Sequence, residues 1–260
     1  MNIVRSKLVN KFSSFSPMLY RRKDLCLAEI KPYLQPFEVK LALRELKAII
    51  GENTVVEWDK SFATFKFDNV NLLIEKLAYW QKVGKDELIP TKQILKELSQ
   101  NGSNELLSKS SLHNARRLRF GVHNIHEYRG KFFPQLVRSL LNISDLNEQS
   151  IVIDPMCGSG TTLVEALDLG CSTIGADLNP LSILISEVKC GIYSLNVNKL
   201  KKTASEIESL LERDVERKSF WDDKDEEYMG RWFDELCLND LKILMGCIDL
   251  HQGISRKLLN

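Results

Sequence analysis

No two of the six cysteines stand in a CxxC spacing: Cys26, Cys157, Cys171, Cys190, Cys237 and Cys247 are scattered along 260 residues. That speaks against a disulfide framework and fits reduced, mostly buried thiols in a cytosolic protein. Long apolar runs are missing as well. Nothing approaches the roughly 18 residues of a membrane span, and the opening MNIVRSKLVNKFSSFSPML has neither an apolar core nor a small-residue cleavage site. Neither charge sign dominates, since 36 Lys and Arg face 35 Asp and Glu for a net charge of +1. A polycation is thereby excluded, and any nucleic-acid contact has to come from a local basic patch. Prolines are few, and none of the seven (Pro17, Pro32, Pro36, Pro90, Pro134, Pro155, Pro180) is followed by another. These absences predict a soluble, cytoplasmic α/β protein with no membrane partner.

Composition separates three regions. Within residues 1–111, about 23–100 reads as a small α/β unit. FEVKLALRELKAII (37–50) has helical spacing with Gly51 as its stop, FATFKF (62–67) alternates like a strand, and NLLIEKLAYWQKV (71–83) returns to helical spacing. SQNGSNELLSKSS (99–111) is a linker by composition. Residues 112–260 then form a second domain. KFFPQLVRSLLNI opens a helix near Pro134, SIVIDP is an apolar strand suited to a sheet covered on both faces, and TTLVEALDLG is a helix closed by Gly170. STIGADLN is a second strand and PLSILISEVKCGIYSL another helix, while 197–260 is helical and charged. The β–turn–α–β–α order predicts a doubly wound parallel sheet.

The turn DPMCGSGTT (154–162) decides the ligand class. A phosphate-gripping P-loop needs Gly-Lys-Ser/Thr, but Thr161 and Thr162 follow Gly160. A dinucleotide turn needs a third glycine where Leu163 stands. S-adenosylmethionine carries no phosphate and fits what is present. Gly158 and Gly160 give room, Ser159 or Thr161 can donate to its carboxylate with help from the helix dipole, and Asp177 ends the next strand, where ribose hydroxyls need an acceptor.

With DPMCGSGTT, GADLNP (175–180) and the upstream HNIHEYRGKFFPQLVRSLL (123–141), the chain resembles the S-adenosylmethionine-dependent amino-methyltransferases that modify cytosine N4 or adenine N6 in DNA. Met156 stands where those enzymes usually carry an aromatic. The resemblance covers roughly residues 113–260 and implies a Rossmann-like class I methyltransferase fold, incomplete here, behind a small N-terminal α/β unit. It implies a cofactor site made of Lys131, Phe132, Phe133, Pro134, Asp154, Gly158, Ser159, Gly160, Thr161 and Asp177. The basic stretch HNARRLRFGVHNIHEYRGK offers Arg116, Arg117, Arg119 and Arg129 for nucleic-acid contact, with a solvated face as the plainer reading. The pair His123 and His126 lacks further ligands for a metal, and Cys157 has no implied base beside it.

Such enzymes carry a second signature, Asp/Asn/Ser-Pro-Pro-aromatic, whose polar group orients the target amine and whose aromatic stacks on a flipped base. With no Pro-Pro pair, this chain has no catalytic residue to nominate. It is expected to be the cofactor-binding portion of a longer or split DNA methyltransferase in a modification or restriction–modification setting, inactive alone, with a second chain carrying the catalytic motif in the split case. Two readings stand beside it. One is a tRNA or other RNA N-methyltransferase with an N-terminal RNA-binding appendage, because guanine-N2 tRNA methyltransferases carry a closely similar motif. The other is a non-catalytic cofactor-binding subunit or inactive remnant.

Overall fold

A computed structural model describes residues 24–98, 119–211 and 223–249, and Arg116, Arg117 and the linker 99–111 lie outside them. The chain divides into two units, one of 1–124 with 132–150 and one of 125–131 with 151–260. The helix opening at Pro134 groups with the first unit.

The first unit runs β1 (Cys26–Ile30), α1 (Pro36–Ile50), β2 (Val56–Asp59), β3 (Phe62–Phe65), α2 (Val70–Lys76), β4 (Trp80–Gly84), β5 (Ile89–Pro90), α3 (Lys92–Leu98) and α4 (Pro134–Ile143). Its five strands form an antiparallel sheet ordered β2-β3-β1-β4-β5, whose first four in chain order give the βαββαβ arrangement of ferredoxin-like folds. Pro36 sets the first turn of α1, and the Glu38 carboxylate accepts from the Gln35 backbone N–H at 2.8 Å. Cys26, Ala28 and Ile30 alternate inward from β1 and meet Ala42, Leu46, Phe65 and Trp80 in one core. The opposite sheet face pairs Glu29 with Lys82 and also carries Glu57 and Asp59.

Residues 77–83 correct the helical reading of 71–83. The helix stops at Lys76, Leu77 turns extended, and Trp80–Gly84 joins the sheet beside β1. There Trp80 is buried and its indole N–H donates to the Ala42 carbonyl at 3.2 Å, a long-range bond that overrides local spacing. Several polar groups inside this unit are paired. The Glu45 carboxylate accepts from the Ala78 N–H at 2.9 Å and from Asn142 Nδ2 at 2.7 Å, and Lys31 Nζ bonds Glu97 Oε1 at 2.5 Å.

The second unit holds β6 (Ile151–Asp154), α5 (Thr161–Asp168), β7 (Ser172–Gly175), α6 (Pro180–Gly191), α7 (Val197–Leu211), α8 (Asp223–Met229) and α9 (Glu235–Asp249). Strands β6 and β7 pair in parallel, Ile151 opposite Ser172 and Asp154 opposite Gly175. This is mixed α/β structure, and among the described residues the parallel sheet has these two strands. The expected cover on both faces is missing from them: Ile151, Ile153 and Ile174 are 60%, 64% and 54% exposed. Helices α7 and α9 pack through Ile207, Cys247 and Ile248. Among the described residues no helix is long and apolar enough to cross a membrane.

Candidate functional site: a glycine turn between two parallel strands

The loop after β6 is shaped by short polar side chains. Asp154 Oδ1 accepts from the Met156 N–H at 3.1 Å, turning the chain two residues beyond the strand end. Asp177, at the end of the neighbouring strand, does the same for the Asn179 N–H at 2.9 Å. Asn179 caps α6 by accepting from the Leu181 N–H at 3.0 Å, and Pro180 fills the first helical position.

Gly158 and Gly160 hold φ of +51° and +74°, a region costly for side-chain-bearing residues. Both are also hemmed in. A Cβ on Gly158 would lie 3.3 Å from the Tyr128 ring, and one on Gly160 would lie 2.9 to 3.1 Å from Ser186. Helix α6 grips the turn from beneath: the Ser186 hydroxyl donates to the Gly158 carbonyl at 2.8 Å and Lys189 Nζ to the Ser159 carbonyl at 3.1 Å. Ser182, Ser186 and Lys189 are all buried and share one helix face by their spacing. Burial pulls the Lys189 ammonium down to about 8, with the Lys131 cation adding to the shift.

Asp177 ties the two motifs together, its Oδ2 accepting from the Gly158 N–H at 2.9 Å. The Asn179 amide, then the Gly158 amide, and more weakly the Ser182 hydroxyl hold its carboxyl below the usual range, so it is a carboxylate. Each of its oxygens already accepts one backbone N–H and keeps lone-pair capacity for more. Ser159 Oγ and Thr161 Oγ1, at the start of α5, are buried and hydrogen-bond to nothing among the described residues. Buried hydroxyls are seldom left so, and two of them at a helix N-terminus suit an incoming carboxylate. Spare acceptors on Asp177 suit hydroxyls. The donor and acceptor set therefore fits S-adenosylmethionine.

Of the residues named from sequence, Lys131, Asp154, Gly158, Ser159, Gly160, Thr161 and Asp177 all belong to the second unit. Asp154 spends one carboxylate oxygen on its own turn. Phe132, Phe133 and Pro134 belong to the first unit, where Phe133 precedes α4, Pro134 opens it buried and Phe132 is 62% exposed. Arg119 and Arg129 are exposed. His123 is buried. Sequence reasoning takes Tyr128 only as an aromatic of the basic stretch and passes over Ser182, Ser186 and Lys189. The S-x-x-x-S-x-x-K spacing in an otherwise apolar helix was the available signal for the last three.

Residues 125–211 match the family model described as RMKL-like, methyltransferase domain. The type II methyltransferase M.MjaII of Methanocaldococcus jannaschii is 49% identical over 81 residues, 31% of this chain and 15% of that protein. The type II methyltransferase M.BsoBI of Geobacillus stearothermophilus is 33% identical over 97 residues, 37% of this chain and 19% of that protein. A tRNA (guanine(10)-N2)-dimethyltransferase of M. jannaschii is 40% identical over 50 residues, 19% of this chain and 14% of that protein. The chain thus spans less than a fifth of the length of each of these relatives. Over residues 125–211 the chain is similar to a methyltransferase domain, and that similarity implies S-adenosylmethionine as the methyl donor.

Proposed function

We propose that this chain binds S-adenosylmethionine on the glycine turn and serves methylation of an exocyclic amine in DNA, cytosine N4 or adenine N6. The observation that carries the reading is the Gly158–Asp177 bond in the same turn as the buried, unpartnered hydroxyls of Ser159 and Thr161. In this reading Ser159 and Thr161 donate to the cofactor carboxylate, Asp177 accepts from its ribose hydroxyls, and Gly158 and Gly160 let the backbone approach closely. Lys131 adds positive charge beside Lys189. The bound cofactor supplies an electrophilic methyl group. The protein's task is to fix it in place and keep the turn rigid.

Orienting a target amine needs acceptors that this sequence does not hold in a Pro-Pro motif. We assign that role to a second chain that carries the motif. The exposed Ile151, Ile153 and Ile174 support the same view, since further strands of a doubly wound sheet would cover them. DNA is favoured by the two type II relatives. The RNA reading has the tRNA relative in its favour. Against an RNA-binding sheet in the first unit stand Glu29, Glu57 and Asp59 on its open face, with Lys82 as their counter-charge.

The purified chain with labelled cofactor tests this directly. The expected result is cofactor binding without label transfer to DNA, and label transfer once the polypeptide carrying the Pro-Pro motif is added. Label in DNA from this chain alone contradicts the division of labour. Label in tRNA but not DNA from the completed enzyme selects the RNA reading.

A further inference from the structure

Lys189 is a cation that α6 carries fully inside the second unit, 0% exposed. Its ammonium donates to the Ser159 carbonyl at 3.1 Å, and among the described residues no carboxylate pairs with it. The charged group that acts on it most is another cation, Lys131. Its neighbour Cys190 is a thiol that burial pushes up to about 11, so it carries no charge at neutral pH. Burying a charge without a counter-ion is costly, so keeping it calls for an anion that the described residues do not supply.

The same helix face sets the direction of the turn. Ser186 donates to the Gly158 carbonyl at 2.8 Å and Lys189 to the Ser159 carbonyl, so two consecutive carbonyls face α6. In a trans peptide the N–H points opposite to the carbonyl of its own plane. The Ser159 and Gly160 N–H groups therefore face away from α6. Gly160 spends its N–H on the Cys157 carbonyl at 2.8 Å, which closes the turn. The residue whose carbonyl Lys189 holds is also the one whose buried hydroxyl has no partner.

We propose that Lys189 is a positioning residue for the amino-acid end of the cofactor: it fixes the Ser159–Gly160 peptide and supplies the positive charge that the cofactor carboxylate balances. The proposal rests on the cofactor reading above and adds a specific dependence to it. Lys189 acts through the turn rather than by touching the ligand. Its charge is felt across one peptide group because the surroundings are dry and screen it little. Asp177 holds the other side of the turn through the Gly158 N–H. The two side chains thus divide the ligand between them, Asp177 serving the ribose and Lys189 the carboxylate.

The experiment is calorimetric titration at pH 7 with two ligands, S-adenosylhomocysteine and 5′-methylthioadenosine. The second keeps the adenosine and the sulfur but lacks the amino-acid end. The proteins are wild type, Lys189→Met, which keeps the apolar stem, and Lys189→Gln, which keeps an N–H donor without the charge. Loss of a charge-assisted hydrogen bond weakens binding by about 10- to 100-fold. That loss is expected for S-adenosylhomocysteine in Lys189→Met, with 5′-methylthioadenosine affinity unchanged. Lys189→Gln should show the same selectivity with a smaller loss. Unchanged S-adenosylhomocysteine affinity in Lys189→Met overturns the proposal. Equal losses for both ligands, or failure of both variants to fold, assigns Lys189 to the fold alone and overturns it equally. Wild type that binds the two ligands equally well keeps the cofactor reading and removes the carboxylate role of Lys189. Wild type that binds neither removes the cofactor reading itself and this proposal with it.

Discussion

The backbone N–H of Gly158 donates to Oδ2 of Asp177 across 2.9 Å, joining two motifs 19 residues apart in sequence. The same carboxylate turns its own loop through the Asn179 N–H at 2.9 Å. One side chain therefore shapes both loops at the ends of the parallel strands. The turn and the following strand end form a single rigid feature, which is what a site built before its ligand arrives requires.

Gly160 and Gly130 separate strain from crowding. Both hold nearly the same conformation, φ +74° and +76°, but a Cβ on Gly130 meets nothing within 4 Å whereas one on Gly160 meets Ser186. Gly130→Ala is expected to cost about 1–2 kcal/mol from the left-handed backbone alone. Gly160→Ala adds about 1–3 kcal/mol of overpacking. Urea unfolding of the two variants measures the difference, and equal midpoints would mean that α6 does not press on the turn.

Lys189 gives stability a pH dependence of defined sign. Its folded value is lowered from 10.5 to about 8, so above pH 8 the unfolded chain holds more protons and stability rises with pH. Cys190, raised from 9.0 to about 11 by burial, acts in the opposite direction once the pH passes 9. The window is therefore pH 8 to 9. Thermal melting of wild type and Lys189→Met across it should show a rise for wild type that the variant lacks; parallel curves would contradict the assignment.

Glu45 acts in the acid range. Burial raises it from 4.5 to about 7, outweighing the opposing bonds from Asn142, Ala78 and Tyr79 and the Lys31 charge. Its contribution is full below pH 4.5 and is lost as the pH rises through 7. The difference in unfolding free energy between wild type and Glu45→Gln should shift against wild type between pH 5 and 8. A difference that stays flat over that range would remove Glu45 as its source.

Arg129 tests the nucleic-acid face. It is exposed, so Arg129→Ala should leave unfolding unchanged within about 0.5 kcal/mol. Affinity for duplex DNA should fall, and the slope of log affinity against log salt should shrink by about 1 if one phosphate contact is lost. Fluorescence anisotropy with labelled duplex at several salt concentrations reads both quantities. An unchanged slope would take Arg129 off the interface.

Much of the second unit was legible because its signals are local. Strand, glycine turn, helix and strand follow one another within residues 151–175, and the Asn179-Pro180 helix start is a short-range device. The strand at Trp80–Gly84 was hidden because Leu73, Leu77 and Trp80 also satisfy helical spacing, and only pairing with β1 separates the two readings. Ile151 and Ile153 promised a strand covered on both faces, and the described residues do not cover them. Tyr128 was read as part of a basic stretch because its partners, Gly158 and Ser182, lie 30 and 54 positions away. Local pattern carries no information about such a contact.

The most direct measurement is calorimetric titration of S-adenosylhomocysteine into the wild-type chain and Asp177→Ala. Binding by wild type and at least about tenfold weaker binding by Asp177→Ala, with both proteins folded, is the predicted result. Equal affinity for the two, or no binding to wild type, would contradict a cofactor site at the glycine turn.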